Sequence, residues 1–209
     1  MDVKPRKTPR QARSKATVDA IVEATTQVLL QGGYDKFTTA RAAERAGVSV
    51  GSLYQYFPNK AALASAVVDR CCESFLVAFE AAVAGRHRTT LAECIRAIVD
   101  FTLVSHHLTP QLHGIVVELA PRIGVAQRTR MVSQAATRLI ESMLRRHLDE
   151  IEAGVDIATA ALLIETLLEA LAHRMALQTP AARPDEALAV EATRLITRYL
   201  APGDSGSRS

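Results

Sequence analysis

Between Thr38 and Lys60 the chain reads TTARAAERAGVSVGSLYQYFPNK, and this stretch limits the choice of fold more than any other. Ala43, Ala46, Val48, Leu53 and Phe57 recur at spacings that give two short helices one shared apolar side, with Gly47 at the bend between them. The pattern is that of a helix-turn-helix. Thr38 or Thr39 is placed to cap the first helix and Ser49 the second, each hydroxyl accepting from a first-turn N–H that has no partner within its helix. Pro58 stops the second helix, and Asn59 is placed to cap a third.

The second short helix turns Val50, Gly51, Ser52, Tyr54, Gln55 and Tyr56 outward. These residues are small, polar or aromatic, and none is acidic. A helix entering a major groove needs a backbone that can approach the DNA closely, which Gly51 permits, and hydroxyls or amides that reach phosphates and base edges. Lys60 adds a cation at a helix N-terminus that itself attracts phosphate. On pattern alone the same residues also suit a plain three-helix corner in which Tyr54 and Tyr56 cover core.

The stretch from about Arg13 to Leu63 resembles the DNA-binding domain of the tetracycline-repressor (TetR) family of bacterial regulators. The likeness is carried by Thr38-Thr39, by AERAGVS, by GSLYQYFPNK and by Leu63. It implies a transcriptional regulator, a repressor, that binds a palindromic operator in double-stranded DNA as a homodimer. It further implies release by a small apolar or amphipathic effector bound in the C-terminal domain. Position by position, Val50, Gly51 and Tyr54 are then expected at bases, and Thr39, Ser52, Gln55, Tyr56 and Lys60 at phosphates. Ala40 stands where some relatives have a base-reading cation, which leaves that task to Arg41. Ala42 stands where a larger aliphatic side chain is usual, so a less tightly packed corner is expected.

Charge supports the same reading. The net +3 of the 209 residues is uneven: residues 1 to 60 hold ten Lys or Arg against five Asp or Glu, leaving fifteen against seventeen for the rest. A basic segment that contains the helix-turn-helix is the footprint of phosphate neutralisation. No apolar run approaches the ~20 residues of a membrane span, and the polar, proline-containing N-terminus is unlike a signal peptide, so a cytoplasmic protein without a membrane partner is expected. With 48% hydrophobic residues, 4% aromatic and no Trp, the chain has apolar surface for a core and a composition that favours helix over strand. The expected fold is all-α, with about nine helices.

Residues 1–14 carry Lys4, Arg6, Lys7, Arg10 and Arg13 and two prolines, and read as a flexible basic arm. It serves either to enter a minor groove or as a solvated tail. Residues 15–60 form the expected DNA-binding domain, 61–200 a helical effector-binding and dimerisation domain, and 201–209 a disordered tail. The apolar periodicity predicts helices over Ser14–Gln31, ended by Gly32-Gly33, and over Lys60 to about Ala84. The second of these, at 1.5 Å per residue, spans ~37 Å and is the natural connector. Further helices are expected from Thr89 or Thr90 to Ser105, then over Gln111–Ala120, Gly124–Leu148, Asp156–Gln178 and Asp185–Leu200.

The last two helices have wide, alanine-rich apolar stripes that suit either a four-helix interface between two copies or the interior of one. The resemblance implies the interface, with Ile157, Ala161, Ile164, Leu168, Leu171, Leu188, Ala192, Leu195 and Tyr199 as its candidates. For an effector pocket the candidates are Phe75, Phe79, Phe101, His106, His107, His113, Met143, His147 and His173, which suit a mostly apolar cavity with few polar groups, and suit plain core as well.

Cys71, Cys72 and Cys94 have no metal-ligand spacing, and nothing near them in sequence except Arg70 would activate a thiol. His106, His107 and His113 have only Glu118 close by, short of a metal set. The sequence holds no nucleophile elbow, P-loop or dinucleotide fingerprint, so no catalytic residue, metal or cofactor is expected. Two alternatives stand beside the main reading: a DNA-binding regulator without an effector, and a metal-dependent sensor or enzyme using the C-terminal histidines.

Overall fold

A computed structural model of the chain describes residues 12–84, 90–108, 116, 119, 123–124, 126–176 and 186–201. Among these residues there are eight α-helices, one 3-10 turn and no strand. The helices are α1 (Ala12–Lys36), α2 (Thr39–Arg45), α3 (Val50–Tyr56), α4 (Lys60–Ala84), α5 (Leu91–Leu108), α6 (Ala126–Arg145), α7 (Ile157–Ala176) and α8 (Glu186–Leu200); the 3-10 turn is Leu148–Glu150. The all-α expectation is met. The helix expected over Gln111–Ala120 lies outside the described residues except for Val116 and Leu119, as does the basic arm up to residue 11 and the tail beyond residue 201.

Some boundaries differ from expectation for local reasons. α1 begins at Ala12, two residues before its expected start at Ser14, and its helical turns resume after Gly33, whose φ of 68° and ψ of 177° break the regular helix where a stop was expected. Glycine reaches that conformation without a Cβ penalty. α5 runs to Leu108, three residues past its expected end.

The chain divides into two compact units, Met1–Ser74 with Gln111–Arg130 and Phe75–Pro110 with Met131–Ser209. In the first unit Ile21, Val22, Val28 and Leu29 of α1 close on Phe37, on Ala42 and Ala43 of α2, and on Leu53 and Phe57 around α3. Leu63, Ala64, Val67 and Val68 of α4 join this core, with Leu119 and Ile123. The second core is built from Phe79 and Val83 of α4 and from the buried faces of α5, α6, α7 and α8. The division between the two units falls within α4, between Ser74 and Phe75, so α4 contributes to one core before that point and to the other after it.

Candidate nucleic-acid interface

The helix-turn-helix is set by short-range hydrogen bonds that its sequence specifies. Thr38 Oγ1 accepts from Arg41 N at 3.2 Å and so caps α2. Ser49 Oγ accepts from Ser52 N at 3.0 Å and caps α3. Asn59 Oδ1 accepts from Ala62 N at 2.8 Å and caps α4. At the turn, Val48 N donates to Ala43 O at 3.0 Å and Gly47 N to Glu44 O at 3.1 Å, the paired bonds of a Schellman ending. Gly47, at φ 68°, supplies the left-handed residue this ending requires.

α3 is held down by Leu53 and Phe57, both fully buried, each contributing about 2–3 kcal/mol by burial. Its other faces are open. Val50 and Tyr54 are each 40% exposed, Gly51 and Gln55 are exposed, and Ser52 is half-buried. A Cβ built on Gly51 would meet only Ser49 Oγ, at 3.8 Å, which is ordinary contact. The fold itself does not ask for glycine there, and glycine inside a helix costs about 0.5–1 kcal/mol against alanine. Neither packing nor helix propensity accounts for Gly51.

The polar atoms around α3 are preset. Thr39 Oγ1 and Tyr54 Oη are 3.1 Å apart, linking α2 to α3, and the hydroxyls of Ser49 and Ser52 are 2.8 Å apart. Tyr56 is half-buried and packs against the first core, so its ring is structural whatever its hydroxyl meets. Lys60 Nζ lies 4.3 Å above the centre of the Tyr34 ring and 5.6 Å from that of Phe37, which fixes the cation on the aromatic pair. Arg41 is exposed and donates from Nη1 to Lys36 O at 3.3 Å, while Arg45 Nε donates to Gln27 Oε1 at 2.5 Å. Ala42 is fully buried. This arrangement presents an acid-free helix with cations on the elements beside it, which suits a surface of phosphates and base edges.

The other candidate residues lie in the second unit. Phe75, Phe79 and Phe101 form one cluster, with ring centres 5.6 to 5.7 Å apart. Phe79 and Met143 are buried, and His173 is exposed. His147 is tied by hydrogen bonds on both sides of its ring, to Cys94 and to Glu150. The side chains of His106 and His107, and the whole of His113, lie outside the described residues. Among the described residues no three His, Cys, Asp or Glu side chains cluster as a metal site, and no helix is long and apolar enough to cross a membrane.

Of the nine interface candidates, Ala161, Ile164, Leu168, Leu171 and Ala192 belong to the buried core of their own chain, and Leu171 and Ala192 also line an open groove on α7 and α8. Ile157 and Leu188 are half-buried, and Leu195 (61% exposed) and Tyr199 (43%) face outward. The stripe on α7 is wide enough to have two sectors, and its outward sector holds Leu163, 52% exposed, and Leu167 one turn on. With Leu188 and Leu195 of α8, Leu167 lines an open groove of about 550 Å³ that also carries Glu191, Arg194 and Arg198.

Comparison with known proteins gives this geometry its relatives. A family model described as "Bacterial regulatory proteins, tetR family" matches residues 21–67, and one described as "Tetracyclin repressor-like, C-terminal domain" matches residues 90–200. Nucleoid occlusion factor SlmA of Haemophilus influenzae is 31% identical over 84 residues, 39% of this chain and 38% of SlmA, so the match spans well under half of that relative. Among solved structures, the fatty acid degradation regulator FadR of Bacillus halodurans superposes with a TM-score of 0.70 at 18% identity, covering 91% of this chain and 97% of FadR. SmeT, the repressor of a Stenotrophomonas maltophilia multidrug efflux pump, superposes at 0.64 and 19% identity over 90% and 94% of the chains. A structure of SmeT with triclosan superposes at 0.68 and 19% identity over 90% and 93%.

Proposed function

This chain belongs to the TetR family of bacterial DNA-binding transcriptional regulators, and from that premise we propose that it is a repressor acting as a homodimer on a palindromic operator. The observation that carries the reading is the outward face of α3. It is free of acid, capped so that it is held rigid, and contains a glycine that the protein's own packing does not use. Val50, Gly51 and Tyr54 approach bases in this account. Thr39, Ser52, Gln55, Tyr56 and Lys60 meet phosphates, and Arg41 is the base-reading cation of α2. The residues from 15 to 60 serve as the DNA-binding domain.

Two copies are needed because two recognition helices must enter successive major grooves on one side of the duplex, ~34 to 36 Å apart or a multiple of that. The exposed residues Leu163, Leu195 and Tyr199, with Leu167 and Leu188, supply an apolar surface on which α7 and α8 pair with their symmetry mates. An amphipathic effector bound among the helices of the second unit then favours the wrongly spaced state. A coupling of ~1 to 3 kcal/mol lowers operator affinity about 5- to 150-fold. SmeT, a protein of the same fold, has been solved as a complex with triclosan, which motivates a small-molecule effector here.

A second reading has one observation in its favour. Phe75, Phe79 and Phe101 fill their shared space with one another, and a filled core suits a regulator that takes no effector. A thermal-shift screen with amphipathic compounds separates the two readings: a compound that raises the melting temperature and weakens operator binding supports release, and one that does only the former counts against it.

Two substitutions test the interface. Tyr54→Ala is expected to blunt the preference for operator over random DNA. Tyr56→Phe, which keeps the ring in the core, is expected to weaken both about equally, as loss of a phosphate contact does. Equal loss of preference from both variants, read by anisotropy titration, would refute the division between base and phosphate contacts.

A further inference from the structure

Cys94 and His147 are 53 residues apart in sequence, yet Cys94 Sγ lies 3.6 Å from His147 Nε2 in the second unit. On the other side of the ring, His147 Nδ1 lies 3.0 Å from Glu150 Oε1. A carboxylate only accepts, so Nδ1 carries the hydrogen, and in the neutral ring Nε2 is then left as the acceptor that faces the thiol. Glu150 is itself fixed, because both of its oxygens lie 3.0 Å from Leu91 N at the start of α5, on the helix that carries Cys94. The carboxylate therefore orients the imidazole, and the imidazole is aimed at the sulfur.

The order of groups is that of an activated nucleophile: a thiol, a base in hydrogen-bond reach, and a third group that sets the base's tautomer. We infer that Cys94 is a modification site for small soft electrophiles of the α,β-unsaturated carbonyl class, with His147 as its base and Glu150 as a positioning residue. In the reaction the sulfur bonds to the β-carbon and the C=C pair moves onto the α-carbon and carbonyl. The thiol proton, taken by Nε2, goes to the α-carbon. No group leaves, and nothing is oxidised or reduced.

The size limit follows from burial. Cys94 is 6% exposed, and the His147 side chain beside it 16%, so the electrophile has to be small. The next residue, Arg146, donates from Nη2 to Val83 O at 3.1 Å in the last turn of α4. An adduct on Cys94 displaces His147 and strains that anchor. Any consequence for DNA binding rests on the operator-binding reading, so the site is tested without DNA.

Cys71 and Cys72 are built-in controls. Both are half-buried and thus more exposed than Cys94, but burial pushes both thiols up, Cys72 to about 11 with Cys71 and Glu73 adding to it. Reactivity that follows exposure labels Cys71 and Cys72 first; reactivity that follows the His147 pairing labels Cys94 first. The experiment is acrylamide labelling of the full chain at neutral pH, with each cysteine peptide quantified by mass spectrometry. Cys94 is expected to react first, and His147→Gln to slow it roughly tenfold or more while Cys71 and Cys72 stay unchanged and circular dichroism and the urea midpoint show a folded variant. Glu150→Gln should slow Cys94 labelling and Glu150→Asp should restore part of the rate, with circular dichroism unaltered in both. Labelling of Cys71 and Cys72 ahead of Cys94, Cys94 labelling only in denaturant, or a Cys94 rate indifferent to His147→Gln would each overturn the site.

Discussion

At the scale of single residues, Gly51 separates what the fold needs from what binding needs. A methyl group at Gly51 has room, meeting only Ser49 Oγ at 3.8 Å, so Gly51→Ala removes backbone freedom from the unfolded chain without a clash. The variant is expected to unfold at higher urea, by up to about 1 kcal/mol, and to bind operator less tightly. A variant that binds unchanged would show that α3 does not approach DNA at Gly51. Glu165 makes a second test. It is buried on α7, and burial raises its carboxyl above the usual range, against the lowering effect of its hydrogen bond with Ser133 and with Glu169 adding to the rise. A raised folded value means that the folded state holds the proton more tightly than the unfolded state. Stability is thus complete below the ordinary glutamate range, near pH 4, and is lost as pH rises through the folded value. Glu165→Gln should raise the urea midpoint at neutral pH, and this gain should vanish in acid. A gain that persists unchanged in acid would place its origin elsewhere.

At the scale of elements, the surface of α7 and α8 carries the pairing claim. Leu195→Lys puts two like charges near a two-fold axis and withdraws an apolar side chain worth about 1.5–3 kcal/mol per copy when buried. Sedimentation is expected to show a monomer of unchanged helical content, with operator affinity lost; a dimer as tight as before would place the interface elsewhere. The elements also show why some features were legible in the sequence and others were not. The caps at Thr38, Ser49 and Asn59 each reach an N–H three residues on, and the Gly47 turn is equally local, so sequence spacing defines them. On α7, Ile164 and Leu163 are neighbours of one apolar stripe, and only the packing of α7 into the second core, chiefly against α5, decides that Ile164 turns inward and Leu163 outward. The change of core at Ser74 is silent for the same reason, because α4 is apolar along its length. The Cys94–His147–Glu150 set closes over 53 residues, so nothing beside Cys94 in sequence announces it.

At the scale of the whole molecule, DNA binding in this reading depends on an acid-free recognition helix within a basic segment, repeated in two copies. Residues 1 to 60 hold ten cations against five acids, and phosphate neutralisation makes affinity fall steeply with salt, by a slope of about 0.9 per phosphate contacted. Direct readout from α3, meanwhile, favours one half-site sequence, and two-fold symmetry repeats it inverted. The measurement that joins these claims is selection of binding sites from random duplex DNA by the purified protein, followed by titration of the enriched site at two salt concentrations. The account predicts an inverted repeat whose half-sites are one or two helical turns apart, bound with a steep salt dependence. Enrichment of no sequence, or of a single unrepeated site bound equally at both salt concentrations, would contradict it.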